Sequence, residues 1–189
     1  MKPLLIVDLE ATCHEGKAPA GFFSEVIEIG ALVLDPRTRE VRAEFQRFVR
    51  PEFSPHLTPF CTELTTITQD QVDGGCPFAE ALAALVAFGE AHGSAVFSSW
   101  GFYDRKQLEA ECERKGVVYP FGDRHISLKH NHAKFLGLAR PMGMAGALRN
   151  YGLELEGIHH RGIDDVRNIA RIVSRMLDDG WTHRLLGGE

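Results

Sequence analysis

The chain has 189 residues, of which 44% are hydrophobic, and its 21 Lys and Arg against 26 Asp and Glu give a formal net charge of -5. This length and composition predict one domain with a sizeable core. The acidic balance argues against a protein that coats nucleic acid through a basic surface, but it is compatible with a nucleic-acid enzyme whose acidic side chains hold cations.

The first half of the chain predicts a β-meander. Residues 3–10, 25–34 and 41–50 have the apolar, β-branched composition of strands, and Asp-Pro and Arg-Pro turn signals follow the second and third of them. Residues 4–7 form an uninterrupted apolar run, which predicts that the first strand is buried.

Two acids stand at the end of this first strand. Because a strand alternates its faces, Asp8 and Glu10 point to the same side, with Cα atoms about 7 Å apart. Two carboxylates in one place repel each other unless a cation lies between them, and oxygen ligands favour Mg²⁺ or Mn²⁺ over zinc. The sequence therefore predicts a metal site here.

The spacing of the cysteines does not predict a redox-active or zinc-binding pair. The four of them form no CxxC pair, and no signal peptide or long apolar span is evident in the sequence. We therefore expect reduced thiols, a cytoplasmic location and no membrane association.

The rest of the chain predicts helices around one further strand. Residues 51–67 show no clear period, whereas 68–71 have the form of a capping box that opens a short helix. Apolar residues recur at helical spacing within 77–93, and 95–100 are typical of a buried strand. Further helices are predicted at 104–115, 140–151 and 163–179. This order of elements indicates an α/β fold in which helices cover a mixed sheet.

Periodicity along the last predicted helix separates two adjacent aspartates. Asp165 continues the apolar stripe of this helix and is predicted to face inward, whereas Asp164 lies on a polar stripe that is predicted to face solvent. The two stripes consist of Ile169, Ile172, Val173 and Met176 and of Asn168, Arg171 and Arg175, respectively. The helix dipole favours an acid in the first turn by about 0.3–1 kcal/mol, but it does not explain an inward direction.

Two further polar residues flank predicted elements. His160 precedes Asp165 by five residues, about 140° around an ideal helix, so the two side chains converge only if His160 lies on a loop, which Gly162 permits. Asp104 stands at a strand-to-helix junction, where an N-cap is its ordinary role. Loops at strand ends are also where α/β sheets place their sites.

Some polar residues keep two interpretations. Glu28 lies in the second predicted strand and is either a partner of site residues or a buried structural acid. A group of histidines, interspersed with Lys129 and Lys134, matches no zinc spacing and is either a solvated stretch or a loop that faces substrate. These histidines are His125, His130 and His132.

The predicted site residues resemble the signature of the DEDDh group of 3′-to-5′ exonucleases, the DnaQ-like or RNase T-like superfamily: they are Asp8, Glu10, Asp104, His160 and Asp165. The resemblance rests on DLEAT, SEVIEIGALVLD, FVRP, LTTITQDQV and HHRGIDDVRNIARIV, which together extend along nearly the whole chain. Within the group, DLEATCHEG and PFCTELTTITQDQVD are most similar to the three-prime histone mRNA exonuclease or enhanced-RNA-interference type. The resemblance implies a single exonuclease domain over 1–189, without an added nucleic-acid-binding domain, and a ribonuclease H-like exonuclease fold with a mixed five-stranded sheet flanked by helices.

The resemblance also implies a reaction. It implies hydrolysis of single-stranded RNA from the 3′ end to nucleoside 5′-monophosphates, with His160 as general base. Two Mg²⁺ ions, for which Mn²⁺ would substitute, are expected on the four carboxylates, namely Asp8, Glu10, Asp104 and Asp165.

Substrate contacts follow from the same resemblance. The terminal nucleotide is expected to stack between Phe60 and Tyr103, with Leu9 and Glu10 beside it. Stacking on aromatic rings tolerates any base, which suits an enzyme that removes whichever nucleotide comes last. For Phe60, simple core packing is the alternative.

Three alternatives stay open at this point. His159 would take the base position after a shift of one residue, although the five-residue interval favours His160, whose pKa the surrounding carboxylates are expected to raise above about 6.5. A DNA-directed or proofreading exonuclease is the alternative enzyme, since recognition of a 2′-hydroxyl cannot be read from the sequence. A regulatory RNA- or protein-binding protein on the same fold is the alternative outside enzymes.

Overall fold

The computed structural model describes residues 1–187 and contains a mixed five-stranded sheet. The strands are β1 (Leu4–Ala11), β2 (Val26–Leu34), β3 (Val41–Phe48), β4 (Val96–Ser99) and β5 (Ile126–Ser127). Their order is β3-β2-β1-β4-β5, with antiparallel pairing from β3 to β1 and parallel pairing from β1 to β5. The predicted meander is confirmed, and so is the strand predicted at 95–100, which extends over Val96–Ser99.

Helices cover both faces of this sheet. Within residues 1–187 they are α1 (Pro59–Thr65), α2 (Gln69–Asp73), α3 (Phe78–Ala91), α4 (Tyr103–Lys115), α5 (Leu128–Phe135), α6 (Met144–Asn150) and α7 (Gly162–Asp178), followed by a 3₁₀ turn at Arg184–Leu186. No helix in this part of the chain has both the length and the apolar character needed to span a bilayer.

Alternation along β1 divides the core into two layers. Leu4 and Ile6 pack with α6 and α7, whereas Leu5 and Val7 pack with α3 and α4 on the opposite face. A strand buried on both faces explains the continuous apolar run in the sequence. Asp8 has the same parity as Leu4 and Ile6, so its carboxylate lies on the face that α7 covers.

Three short elements were not predicted. In α1, the hydroxyl of Thr58 accepts a hydrogen bond from the backbone N–H of Cys61, and a proline opens the first turn, but seven residues are too few to show a helical period. The two residues of β5 carry no alternation, and α5 is mostly polar. The positions of β5 and α5 depend on contacts with β4.

The two stripes of α7 are only partly as predicted. Asp165 is 4% exposed and faces inward, as expected. Asn168 is fully buried, so its predicted solvent exposure is wrong. Its amide donates to the carbonyl of Glu156 at 2.7 Å and its oxygen accepts from the backbone N–H of the same residue, which satisfies a polar group inside the fold.

Candidate active site

Four carboxylates from three elements converge at the carboxyl end of β1. Asp8 and Glu10 come from β1, and their carboxylate oxygens lie within 4.8 Å of one another and of an oxygen of Asp165, in the first turn of α7. Asp104 is 4% exposed, and its Oδ1 accepts a hydrogen bond of 3.0 Å from the backbone N–H of Leu9. The N-cap position of α4 is occupied by Phe102, so Asp104 does not serve as the helix cap.

Burial and crowding raise the pKa values of these carboxyl groups. Burial, with Asp165 and Glu28 nearby, raises the pKa of Glu10 to about 8. Burial raises the pKa of Asp104 to about 6, and burial and the charge of Asp104 raise the pKa of Asp8. A divalent cation would relieve this repulsion, and a donor set made only of hard oxygens fits Mg²⁺ or Mn²⁺ better than a soft metal.

Two stacked histidines reach the same place from the loop before α7. The rings of His159 and His160 have centroids 4.0 Å apart and planes inclined by 14°. His159 Nδ1 lies 3.1 Å from both carboxylate oxygens of Asp165, whereas His160 donates its backbone N–H to Oδ2 at 3.0 Å. His160, five residues before Asp165, therefore contacts this carboxylate through its backbone. The ring in contact with the carboxylate is that of His159.

His160 has two unusual properties. Its φ of 65° is left-handed, a conformation that few residues with a Cβ adopt and that is shared here by Arg39, Thr66 and Ser94. Burial and the neighbouring His159 lower its pKa below 6.5. The expectation that the carboxylates would raise this pKa is wrong, because desolvation outweighs the attraction of Asp165.

A pair of glycines allows α7 to approach the sheet. A Cβ added to Gly30 in β2 would lie 2.1 Å from the carbonyl carbon of Gly162, and a Cβ on Gly162 would lie 2.9 Å from the carbonyl oxygen of Asp8. Neither position accepts a side chain without separating strand from helix. This backbone contact is what brings Asp165 beside Asp8.

Glu28 forms hydrogen bonds with the loop that carries His159 and His160. Its fully buried carboxylate accepts hydrogen bonds of 3.1 Å from the backbone N–H of Gly162 and from Nε of Arg161. Gln46 on β3 donates to the other oxygen at 2.5 Å. Glu28 is thus a buried acid and also a hydrogen-bond partner of the loop that carries the histidines. Both interpretations that the sequence allowed therefore apply to it.

A cleft of about 470 Å³ opens over the carboxylates. Leu9, Glu10 and Tyr103 line it, and Tyr103 is 55% exposed. Phe60 is half-buried on α1 and is not among the lining residues; α1 contributes Leu64 and Thr65 instead. Sequence reasoning missed Leu64 and Thr65, because α1 is too short to show a helical period. The cleft residue Lys129 belongs to the histidine stretch, for which a loop that faces substrate is one of the two interpretations.

The fold and the site together define a ribonuclease H-like exonuclease domain, with acids at the end of the central strand of a mixed five-stranded sheet. The exonuclease family model (RNase_T) matches residues 5–173. The chain therefore belongs to this exonuclease family.

Curated relatives are longer than this chain. The 3′-5′ exoribonuclease 1 of Mus musculus is 33% identical over 198 residues, which cover 98% of this chain and 57% of the relative. The ERI1 exoribonuclease 2 of Xenopus laevis is 36% identical over 205 residues, which cover 96% of this chain and 29% of the relative. The chain thus spans little more than half of the first relative and less than a third of the second.

A solved structure agrees with this assignment. The nuclease domain of 3′hExo, a DEDDh family member bound to rAMP, has a TM-score of 0.89 to this chain and 34% sequence identity, covering 95% of this chain and 93% of that one. A structure of a 3′-exonuclease in 3′-end specific recognition of the histone mRNA stem-loop has a TM-score of 0.88 with the same identity, covering 95% of this chain and 83% of that one.

Proposed function

We propose that this chain is a metal-dependent 3′-to-5′ exoribonuclease that hydrolyses single-stranded RNA ends to nucleoside 5′-monophosphates. The observation that carries the proposal is the convergence of four carboxylates, three of them buried and that of Asp8 half-buried, with two histidines in one cleft. Relatives named exoribonucleases, and a similar nuclease domain bound to rAMP, support RNA as substrate and a nucleoside monophosphate as product.

The four carboxylates would hold Mg²⁺ ions, two by analogy with phosphodiester hydrolases that use paired metals, and Mn²⁺ would substitute. Bound there, these ions would lower the pKa of a water and neutralise charge on the phosphate. The chain supplies the ligands Asp8, Glu10, Asp104 and Asp165. Asp104 is held toward β1 by its bond to Leu9.

His160 is our candidate for the general base. A base must be neutral to accept a proton, and burial already lowers the pKa of His160 below 6.5, so the neutral ring prevails at pH 7. Its bond to Asp165 runs through the backbone, which leaves the ring nitrogens available to a water. The ring of His159 is instead held by Asp165 and supports His160 through stacking.

The cleft would receive the terminal nucleotide. Exposed Tyr103 offers an aromatic face for the base, and Leu9 and Glu10 lie along the same cleft. Phe60, one turn before the lining residue Leu64 on α1, stays a predicted second stacking partner. We also propose that the chain acts as one catalytic domain in the cytoplasm, where its four free cysteines would stay reduced.

The test uses 5′-labelled RNA and DNA oligomers of one sequence, with Mg²⁺, with Mn²⁺ or with excess EDTA. We expect stepwise shortening of RNA from the 3′ end, release of nucleoside 5′-monophosphates, and no reaction in EDTA or with the Asp8→Ala variant. Cleavage of a circular single-stranded RNA, or full activity in EDTA, would contradict the proposal. Faster shortening of DNA than of RNA would assign the chain to DNA-directed exonucleases.

A further inference from the structure

A second aromatic surface adjoins the cleft where α4 begins. Phe102 immediately precedes the cleft residue Tyr103, and it is 44% exposed. Its ring packs against two imidazoles, with centroid distances of 4.7 Å to His130 and 5.8 Å to His125. We call these three residues the Phe102 platform.

Both imidazoles are fixed by serines at the ends of adjacent strands. Ser127, the last residue of β5, places its hydroxyl 2.6 Å from His130 Nδ1. Ser99, the last residue of β4, places its hydroxyl 2.9 Å from His125 Nε2. The ring of Phe102 therefore rests on side chains that are already ordered, which reduces the entropy lost when a ligand packs on it.

A cation lies next to this platform. Lys129 lines the cleft, and its backbone N–H donates to the carbonyl of Trp100 at 2.6 Å, which ties the first turn of α5 to the loop that carries Phe102. An RNA strand that enters a cleft with four carboxylates needs positive charge along its phosphates. Lys129, which lines the same cleft as the acids, supplies such a charge.

We propose that the Phe102 platform binds the penultimate nucleotide of a single-stranded RNA, with its base stacked on Phe102 and its phosphate near Lys129. This subsite rests on the proposed function, in which the terminal nucleotide occupies the cleft beside Tyr103. Because Phe102 and Tyr103 are consecutive in the chain, their rings can serve consecutive bases. The subsite also gives His125 and His130, which match no zinc spacing, a role in supporting the Phe102 ring.

The experiment compares Phe102→Leu, which keeps an apolar cover over the imidazoles, with Phe102→Trp, which keeps an aromatic face. The matched control is Phe53→Leu, since Phe53 is 57% exposed but lies 5.8 Å from Arg114 at the opposite end of α4. Three substrates are used: an RNA oligomer, the same oligomer with an abasic penultimate position, and the p-nitrophenyl ester of a nucleoside 5′-monophosphate, which has no upstream nucleotide.

We expect Phe102→Leu to raise the KM for the intact oligomer by about 5- to 20-fold, the lower part of the range for one base–aromatic stack, while Phe102→Trp and Phe53→Leu stay near wild type. On the abasic oligomer and on the ester, Phe102→Leu and wild type should have similar KM values. The KM increase should be similar for all four penultimate bases.

Two results would overturn the subsite while leaving the proposed function intact. One is an unchanged KM for the intact oligomer in Phe102→Leu. The other is an equal loss on the intact oligomer, the abasic oligomer and the ester, which would mean that the substitution disturbs the cleft itself. A wild-type protein that hydrolyses none of the three substrates would overturn the proposed function, and the subsite with it.

Discussion

Glu10 should make the metal-free protein less stable as pH rises. Its pKa in the folded state is about 8, against an ordinary value of 4.5, because burial and neighbouring acids disfavour the charge. A carboxyl group with a raised pKa favours folding when protonated. The stability that it contributes is therefore fully present below pH 4.5 and is lost as pH rises through about 8.

The size of the effect follows from the two pKa values. At about 1.36 kcal/mol per pKa unit, the full loss above pH 8 amounts to about 5 kcal/mol. Between pH 5 and pH 7 the loss is about 2 to 3 kcal/mol. For a domain of this size, 1 kcal/mol changes Tm by about 2–4 °C, so Tm should fall by about 5–10 °C over this interval.

Thermal melts in EDTA, followed by circular dichroism from pH 5 to pH 8, would measure this effect in the wild type and in Glu10→Gln. The variant removes the charge but keeps the shape, so the difference between the two proteins reports Glu10 with its coupling to neighbours such as Asp8 and cancels the ionisable groups far from the site. We expect the wild type to lose Tm relative to Glu10→Gln as pH rises, and Mg²⁺ or Mn²⁺ to restore it most strongly near pH 8. Parallel Tm curves for the two proteins in EDTA would refute the reasoning.

Three further predictions concern α7 and its loop. Asp165→Asn should abolish turnover in an RNA hydrolysis assay, whereas Asp164→Asn should lose much less, since Asp164 bonds to Arg167 and to Ile158 outside the cleft; equal losses would contradict this. His160→Ala should lower kcat by about 10²–10⁴ and remove the acidic limb of the kcat–pH profile, which in wild type should lie below pH 6.5; a larger loss in His159→Ala would reassign the base. Gly30→Ala should lower both Tm and kcat, because its Cβ would lie 2.1 Å from Gly162; an unchanged kcat would show that α7 tolerates displacement.

The parts of the site that local periodicity governs could be predicted from the sequence. The two-residue repeat of a strand placed Asp8 and Glu10 on one face, and the helical repeat turned Asp165 inward, because each pattern depends on a single element. Asp104 was ambiguous, since an N-cap and a site residue share the same local context. The structure places Phe102 at the N-cap of α4 and bonds the side chain of Asp104 to Leu9, 95 residues away.

Other parts depend on contacts between distant segments. Leu64 reaches the cleft through a seven-residue helix whose period is too short to detect. The backbone at His160 is left-handed, and the ring that contacts Asp165 is that of His159. The sequence does not predict this backbone conformation at His160. The Phe102 platform requires β4 and β5 to end side by side, and two residues of β5 gave no strand signal.

The acids of this site cannot hold it together by themselves. Burial, and after it repulsion between the acids, raises the pKa of Glu10, and burial raises the pKa of Asp104, so the convergence of the acids must be imposed by the rest of the fold. The buried stripe of α7, the backbone contact between Gly30 and Gly162, and the bonds from Glu28 to the histidine loop supply that force. Because none of these contacts involves a metal ligand side chain, the domain should fold before it binds metal. A cation would then stabilise the site by relieving charge repulsion, unlike in small domains whose folding waits for the metal.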